Sequence, residues 1–538
     1  MKTFKQFFIK YAPAILLLPS SIIIGMYLIH DFETLTSEEN LPFFYVYVLF
    51  CLAPLYFFVF KPRQDIGTEI LEIGRKFFER FRRHSWAYLV IALGFSAFFL
   101  FLASIHISTY LERDRWIISE GLPVIPLDMV IMGRTAYVMS WFSPIDFASP
   151  LANLPFILLW LAFLVYINPV EENSWISVLT IFTGTVLTTV LYVSLYGVFE
   201  FPAAVVCFIG LYAIWRKKIN TGIFFLVLGS VLKNTGVFQF IPGGILLLMH
   251  CWEAKSFKKV FEKLDIALLI FLGIFWILNY WGLYVQIFVL NHGLGYLVKP
   301  RGDEIIWLSA FLTFINALTT KYFILTVLWL IGIILLKEHR LFALTVTGTL
   351  LFARSFSRWA DPEYTQIFVP SLSYIALLSL VHLQKSLKLQ PAKFVLPILI
   401  LGFNIFYLYG LLQYTPNGMN RLNSNFDQYI GKLARRFPEE GLIYERGVSV
   451  MPYLREKRGG NLDAIRFRYL TGWKDEIITE LSQPGCKLII IQKDFLGQTG
   501  MTEEDLISLG YSTSPYILDD RSGTFISYSR SCNDWEND

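Results

Sequence analysis

The chain has 538 residues, of which 55% are hydrophobic and only 16% are charged, and its mean hydropathy is +0.52. Soluble domains carry about 25% charged residues, so most of this chain is expected to lie in a bilayer. The formal net charge of +4 is too small to indicate a nucleic-acid partner. Five cysteines are too few for a disulfide scaffold. No zinc-ligand spacing, Walker loop or GxSxG motif occurs, which excludes several classes of enzyme.

Long apolar runs predict a polytopic α-helical membrane protein with about thirteen transmembrane helices. Several runs are shorter than the ~20 residues that a perpendicular helix needs. The first run follows a basic start, but it is long and no small-residue cleavage site precedes Asp31, so it is predicted to be retained rather than cleaved as a signal peptide. The predicted spans are Tyr11–His30, Pro42–Phe60, Ser85–Ile105, Leu151–Asn168, Trp175–Val198, Phe199–Trp215, Thr221–Leu232, Gly236–Trp252, Ile266–Phe288, Lys321–Leu336, Leu341–Ser355, Thr365–Leu383 and Phe394–Gln413.

Lysine and arginine residues near the span ends predict the orientation, because cytoplasmic loops carry an excess of them. With thirteen spans, six basic segments fall on one side, which is therefore predicted to be cytoplasmic together with the N-terminus. These segments are Met1–Lys10, Lys61–His84, Arg216–Lys218, Glu253–Lys263, Lys337–Arg340 and Gln384–Lys393. The opposite, outer side receives the loop after Ile105, the corner at Phe199–Glu200, the loop after Phe288 and the tail after Gln413.

The predicted organisation has three parts. Residues 1–84 form a two-span hairpin followed by a basic amphipathic segment, which we expect to lie on the cytoplasmic leaflet. Residues 85–413 form the main transmembrane domain, with a long first outer loop at 106–150. In residues 414–538 short apolar runs alternate with charged helical stretches, which predicts a soluble external α/β domain. Whether Cys486 and Cys532 in this tail form a disulfide is left open.

Carboxylates in the first outer loop are the first candidates for chemistry. An acid just beyond a helix end can act as a general base toward an acceptor hydroxyl, or can hold a cation. The alternative is a solvated loop whose acids simply pair with the neighbouring arginines. The acids of this loop are Glu112, Asp114, Glu120 and Asp128.

Two ionisable residues interrupt the apolar spans further on. Glu200 lies where one span ends and the next begins, and it must find water, a cation or a donor; it either has a role in the site or merely marks the membrane boundary. Lys233 interrupts a long uncharged run on the predicted outer side, where it is well placed for the phosphate of a lipid-linked donor. The alternative is a lysine that snorkels from a helix end.

A third cluster of charges lies between two late spans. Arg354 and Arg358 would suit a phosphate or a sugar hydroxyl, since a guanidinium offers a fixed fork of donors. Alternatively, ion pairs of Arg354 with Asp361, or of Arg358 with Glu363, close a turn. His292, in the loop after Phe288, is a weaker candidate because a loop histidine is more often a solvated side chain.

Four of these segments, in this order, resemble the GT-C fold, the polytopic glycosyltransferases that use polyprenyl-phosphate-linked sugars. The similar segments are EGLPVIPLD at Glu120–Asp128, FEFPAA at Phe199–Ala204, GSVLKNTG at Gly229–Gly236 and RWADPEYTQIFVP at Arg358–Pro370. The similarity covers about Ser85 to Asp538, and the two earlier spans are an addition. The stretch HISTY stands where the superfamily usually has an acidic pair, so the nearest acids are Glu112 and Asp114.

This resemblance implies transfer of a sugar from a polyprenyl-phosphate donor to a glycan, lipid or protein acceptor on the outer face of the cell membrane. Asp114 is predicted to be the general base, with Glu112 as the alternative. Lys233 and Arg358 would neutralise the leaving phosphate, so neither a cofactor nor a metal is required. The remaining predicted substrate-binding residues are Asp128, Glu200, His292, Arg354 and Glu363. The alternatives are a flippase or transporter, or a polymerase or ligase, for lipid-linked saccharides.

Overall fold

The structure is a computed structural model, and it describes most of the helical part and parts of the tail. The described residues are 2–30, 32–36, 41–59, 65–83, 85–108, 141–142, 145–168, 200–261, 306–320, 322–355, 362–386, 418–420, 441–446, 458–461, 473–492, 502–520 and 523–530, with isolated residues at 132–139, 269–273 and 395–406.

Five helices form the N-terminal part. They are α1 (Lys2–His30), α2 (Phe32–Leu35), α3 (Leu41–Val59), α4 (Asp65–Arg83) and α5 (Ser85–Ile105). Helices α1 and α3 pack along each other, and their contact includes the rings of Tyr27 and Tyr47, whose centroids are 5.4 Å apart. This pair buries its inner face against the main domain, where Phe57 meets Phe224 edge to face. The predicted hairpin therefore packs onto the domain that follows it.

Helix α4 is the predicted amphipathic segment, and it contacts the main domain through both charge and packing. The Glu72 carboxylate accepts from Lys218 Nζ at 3.0 Å and from Lys76 Nζ at 2.8 Å. These two hydrogen bonds lower the pKa of Glu72 from 4.5 to about 2. Thr221 donates to Glu69, and the Arg80 guanidinium donates to the carbonyl oxygen of Tyr166.

The next described helices are α6 (Ile145–Ile167), α7 (Glu200–Trp215), α8 (Ile219–Leu232), α9 (Phe240–Glu253) and α10 (Phe257–Phe261). A short 3-10 helix, Asn234–Gln239, joins α8 to α9. Their side chains share one core, in which Trp160 of α6 stacks with Phe163 and meets Phe208 of α7.

The late helices are α11 (Ile306–Thr320), α12 (Phe323–Leu335), α13 (Lys337–Ala343), α14 (Thr349–Ser355) and α15 (Val369–Ser386). A π-helical turn, Leu344–Gly348, joins α13 to α14, and a 3-10 helix, Pro362–Phe368, precedes α15. The sequence analysis placed no span between Phe288 and Lys321, yet α11 is an apolar helix there. It meets α12 at a bend of 97° between Phe311–Thr320 and Phe323–Leu335, as in a broken span or a re-entrant segment.

Three helical stretches of the described residues are long and apolar enough to cross a bilayer, namely Ile9–His30, Thr235–Glu253 and Thr365–Ser386. A fourth is added if the bent pair is one span. Several shorter apolar helices stand at other predicted spans, including α5, α7 and α8. The predicted spans Trp175–Val198, Ile266–Phe288 and Phe394–Gln413 lie wholly or largely outside the described residues. The chain is a multi-pass membrane protein, and the number of spans stays a prediction.

The tail contributes a five-stranded mixed sheet. Its strands are β3 (Leu442–Arg446), β4 (Arg458–Asn461), β5 (Lys487–Gln492), β6 (Ser512–Asp520) and β7 (Gly523–Arg530), in the order β4-β3-β5-β7-β6. Strand β3 runs parallel to β4 and β5, whereas β7 is antiparallel to β5 and β6. Helices α16 (Trp473–Ser482) and α17 (Glu503–Ser508) complete it, with α17 capped by Thr502 and Asp505. That this part is a separate external domain stays a prediction.

A two-stranded ladder links the first predicted outer loop to the beginning of the tail. Strand β1 (His106–Ser108), which follows α5 directly, pairs antiparallel with β2 (Gly418–Asn420). Backbone hydrogen bonds require the two segments to be adjacent, so the start of loop 106–150 and the start of the tail lie on the same side of the helical part. Strand β1 is formed by the first three residues of the HISTY stretch.

Candidate functional site

The candidate site begins with the antiparallel pair α7 and α8, joined by the tight turn Arg216–Lys218. Lys217 adopts a left-handed conformation with φ 64°, and the Lys218 N–H donates to the Ala213 carbonyl at 2.9 Å. This is the hydrogen-bond pattern of a Schellman motif, which usually carries glycine at the left-handed position. The chain therefore reverses sharply, and the first residue of α7 comes to lie beside the residue that follows α8. Those two residues are Glu200 and Lys233.

Small residues allow α7 and α8 to approach closely. A Cβ on Gly229 would lie 2.4 Å from Cys207 Sγ and 2.8 Å from the Cys207 nitrogen, and one on Gly222 would lie 2.8 Å from the Gly210 carbonyl oxygen. Close backbone contact through small residues is a common way to pack helices in membranes, where water supplies no hydrophobic driving force. Because the two helices are so close, the side chains of Glu200 and Lys233 at their ends can contact each other.

Glu200 and Lys233 form a buried ion pair. Lys233 Nζ lies 3.5 Å from Glu200 Oε1, and the two side chains are only 2% and 0% exposed. The second carboxylate oxygen, Oε2, accepts a hydrogen bond from the Thr235 hydroxyl. Lys233 therefore does not snorkel to water, because its ammonium group is held inside the protein by a carboxylate.

The depth of this pair follows from helix length. Helices α7 and α8 have 16 and 14 residues, respectively, which correspond to about 24 and 21 Å at ~1.5 Å per residue. The hydrocarbon core of a bilayer is about 30 Å thick. If the basic turn Arg216–Lys218 lies at one membrane surface, as the sequence predicts, the ion pair would lie short of the opposite surface.

The 3-10 helix Asn234–Gln239 connects the ion pair to a third buried charge. Its preceding residue, Lys233, is extended at φ −153° and ψ 142°, which directs the chain away from the axis of α8. The ring of Phe238, near the end of this 3-10 helix, lies 4.8 Å from Arg354 Cζ. Arg354 is 1% exposed and also lies 5.8 Å from the ring of Phe314 in α11. Two aromatic rings therefore hold the guanidinium through cation–π contacts.

Other buried polar groups lie in the two 3-10 helices Asn234–Gln239 and Pro362–Phe368. Thr365 donates to the Tyr322 hydroxyl at 3.1 Å, and Gln366 is fully buried beside it in the same 3-10 helix. Gln239 is also buried, and within the described part of the chain its Oε1 has no hydrogen-bond partner. Sequence reasoning considered only charged residues and missed these groups, although the polar pair Thr365–Gln366 at the start of a predicted span was a visible signal.

Of the nine residues predicted for the site, the structure places Glu200 and Lys233 in contact, and it buries Arg354 against Phe238 of the 3-10 helix that follows Lys233. Helix α11, which the sequence analysis left unassigned, contributes Phe314 to the surroundings of Arg354. The backbone of Glu363 lies in the 3-10 helix Pro362–Phe368. The predicted residues Glu112, Asp114, Asp128, His292 and Arg358 lie outside the described residues. Within the described part, no group of three or more His, Cys, Asp or Glu side chains is placed to hold a metal ion.

Comparison with solved structures identifies the fold. The structure is similar to ArnT from Cupriavidus metallidurans, both bound to undecaprenyl phosphate and in the apo state, with a TM-score of 0.54 in each case. The chain has the GT-C fold. Sequence identity to the two ArnT structures is 12% and 11%, and the match covers 83% of this chain and 98% of ArnT. No protein family and no curated protein matches the sequence. The resemblance to the GT-C fold inferred from the sequence is confirmed at the level of fold.

Proposed function

We propose that this protein is a membrane glycosyltransferase that transfers a sugar from a polyprenyl-phosphate donor to an acceptor on the outer face of the cell membrane. The GT-C fold supports this function, and ArnT, which shares the fold, has been solved with undecaprenyl phosphate bound. The observation that carries the proposal is the buried pair of Glu200 and Lys233 at the end of α7 and α8 remote from the basic turn.

A buried ion pair is poorly explained by stability alone. Removing two charges from water costs several kcal/mol for each ion, and apolar residues of similar volume are often equally good or better. Charged groups at membrane depth usually serve a substrate or ion site. The 3.5 Å between Lys233 and Glu200 is longer than the 2.7–2.9 Å of a tight charge-assisted hydrogen bond. A donor phosphate would therefore compete with a loose contact when it approaches the ammonium group.

Arg354 would provide a second positive charge for the donor. Its guanidinium is held between Phe238 and Phe314, so little side-chain entropy would be lost when it binds. A planar guanidinium can donate two parallel hydrogen bonds to a phosphate or to neighbouring sugar hydroxyls. Arg358, four residues further along the chain, has the same proposed role.

The proposed reaction is an inverting displacement. The acceptor hydroxyl oxygen bonds to the anomeric carbon, the bond from that carbon to the phosphate oxygen breaks, and the hydroxyl proton passes to a carboxylate. Asp114 is the proposed base and Glu112 the alternative; their loop begins at β1, which is paired to the tail. Lys233 and Arg358 would neutralise the departing polyprenyl phosphate, while Asp128, Glu200, His292 and Glu363 would hold sugar or acceptor hydroxyls.

The test is a transfer assay with purified protein and a panel of polyprenyl-phosphate sugars. Lys233→Ala should weaken donor binding tenfold or more, because a desolvated charge contact is lost. Lys218→Ala, at the other end of the same helix, is the matched control and should bind donor normally. Lys233→Ala alone leaves the Glu200 carboxylate without its cation. Donor binding is therefore also measured for the double variant Glu200→Gln/Lys233→Met, which removes both charges. Normal donor affinity in a folded variant lacking Lys233 would contradict this role.

The general base is tested separately by single-turnover rates. Asp114→Asn should slow transfer by about 10²–10⁴-fold, the usual loss when a general base is removed, and should leave donor binding near normal. Glu112→Gln should have little effect. The opposite ranking would assign the base to Glu112, and full activity of both variants would move it to Asp128.

The proposed sidedness is tested by labelling. Single cysteines at Thr68 on α4 and at Ser508 on α17, both exposed positions, should react with impermeant reagents from opposite sides of the membrane. The N-terminal side is proposed to be cytoplasmic. Labelling of both positions from one side would refute the proposed topology.

A flippase or carrier for a lipid-linked saccharide is the alternative from another class. It would need polar residues along a path through the membrane, but the buried Asp, Glu, Lys and Arg side chains among the described residues of the helical part are only Glu200, Lys233 and Arg354. Donor translocation without cleavage of the sugar–phosphate bond would favour the carrier. A polymerase or ligase shares the proposed chemistry and differs only in the acceptor.

A further inference from the structure

Helix α4 has two faces with different partners. Its inner face is tied to the helical part by Glu69 and Glu72, which accept from Thr221 and Lys218. Near its start, Gly67 touches α1 so closely that a Cβ would lie 1.9 Å from the Ile9 carbonyl oxygen. The hydrogen bonds from α4 to α6 and α8 reach Tyr166, Lys218 and Thr221, which lie at the ends of those helices. Helix α4 therefore lies across helix ends, on the side of the basic turn Arg216–Lys218.

The outer face of α4 is exposed and mainly basic. Arg75, Phe78 and Arg82 recur at helical spacing on it, and Arg83 follows. Phe78 is 66% exposed. Arg75 lies 3.8 Å from Glu79, which is the one acidic residue between Arg75 and Arg83. An apolar ring flanked by long basic side chains is the pattern of helices that lie in the headgroup layer of a membrane.

The neighbouring helix shows that this face lies beside lipid. Helix α5 begins two residues after α4 ends, and its first turns present Trp86, Val90 and Leu93 to the outside, with Trp86 78% exposed. An exposed tryptophan at the start of an apolar span is typical of the membrane interface. The exposed face of α4 is thus followed along the chain by an exposed apolar surface of the kind that lipid tails cover.

We propose that the face formed by Arg75, Phe78 and Arg82 binds the headgroups of anionic phospholipids, with the Phe78 ring inserted at the boundary of the acyl chains. Charge complementarity selects anionic over zwitterionic lipid, because two arginines stand against one glutamate, Glu79, on this exposed side. A soluble protein partner is less well matched, since it would have to contact the lipid-facing start of α5 as well. The inner contacts of Glu69 and Glu72 hold the helix at this depth.

The test places a nitroxide spin label on F78C in the full-length protein, with Cys51, Cys207 and Cys251 replaced by alanine. The protein is reconstituted in vesicles of phosphatidylcholine, or of phosphatidylcholine and phosphatidylglycerol in equal parts. With phosphatidylglycerol, we expect the label to be accessible to oxygen and protected from a water-soluble nickel chelate. Arg75→Gln/Arg82→Gln should remove this protection, since each arginine near an anionic surface strengthens binding about fivefold.

Lys217→Gln/Lys255→Gln is the matched control, because both lysines are exposed on turns and both have positive φ. It should leave the label protected. A label that is open to the nickel chelate in both lipid mixtures would overturn the proposal. So would a label that stays protected in detergent and after Arg75→Gln/Arg82→Gln, since the face would then be covered by protein.

Discussion

Helix α8 carries an ion pair near each end, and the two pairs differ in almost every physical respect. Lys233 and Glu200, at its far end, are 3.5 Å apart and shielded from solvent. Lys218 and Glu72, at the near end, are 3.0 Å apart with side chains 27% and 42% exposed. The shorter and better-formed contact is the exposed one. The choice of Glu200 and Lys233 as the pair proposed to be functional therefore rests on the cost of burying two charges and not on the distance between them.

The two pairs also differ in what happens to one residue when its partner is removed. Water can solvate Lys218 or Glu72 when its partner is lost, so an exposed pair contributes little to folding. Lys233 is buried, so removing Glu200 would leave its ammonium group inside the protein, away from water. The buried pair should therefore behave as a unit in mutagenesis, whereas the exposed pair should not.

The largest effect is expected from breaking the buried pair. Glu200→Gln should destabilise the protein by about 3–5 kcal/mol, since it removes the carboxylate beside the buried Lys233 ammonium group. Adding Lys233→Met should recover most of this loss, because neither member of the pair then carries a charge. Thermal unfolding of the purified protein in detergent measures both variants. A single variant as stable as the wild type would show that water reaches Lys233.

A smaller effect is expected from separating the helices that carry the pair. Gly229→Ala should cost about 1–3 kcal/mol through overpacking, because its Cβ would meet Cys207. Gly244→Ala on α9 is the matched control, since no atom lies within 4 Å of its Cβ. That variant should be neutral or stabilise the helix by up to about 1 kcal/mol. Equal unfolding temperatures for the two variants would contradict the close packing.

The exposed pair should show a much smaller effect. Glu72→Gln and Lys218→Gln should each change the free energy of unfolding by less than about 1 kcal/mol. The change should shrink further as salt is added, because solvent-exposed charges are screened. A loss as large as that of Glu200→Gln would show that α4 depends on this contact far more than its exposure indicates.

The smallest effect is the pH dependence of the same contact. The pKa of Glu72 is lowered in the folded protein from 4.5 to about 2 by Lys76 and Lys218. A lowered carboxyl pKa gives stability that is present above about pH 4.5 and is lost as the pH falls toward about 2. The stability difference between wild type and Glu72→Gln should therefore vanish across this window. A difference that grows on acidification would have the wrong sign.

The structure gives the bonding state of four of the five cysteines. Cys51, Cys207 and Cys251 are free, and Cys486 is disulfide-bonded; Cys532 lies outside the described residues. Disulfides persist in oxidising compartments and are rare in the cytosol. The bond at Cys486 therefore supports the proposed external location of the tail, which the sequence analysis had argued from charge alone.

The sequence alone predicted the features that depend on local composition. Helix α5 has the predicted bounds Ser85–Ile105, and the GT-C fold was inferred from the order of short segments. Glu200, Lys233 and Arg354 were chosen as candidates because a charge in an apolar run is costly wherever the run folds. Helix α11 was missed, since its residues were assigned to the loop after Phe288.

The partners of those charges were decided by the tertiary structure. Glu200 and Lys233 were considered separately, although they stand at similar distances from the turn Arg216–Lys218 and an antiparallel pair of helices brings such residues together. Hydropathy sums the preferences of neighbouring residues, but a contact depends on how closely two helices approach. That approach is set by Gly222 and Gly229, and the position of Arg354 by Phe238 and Phe314. Apolar runs determined which segments enter the membrane, and packing between them determined which charges meet there.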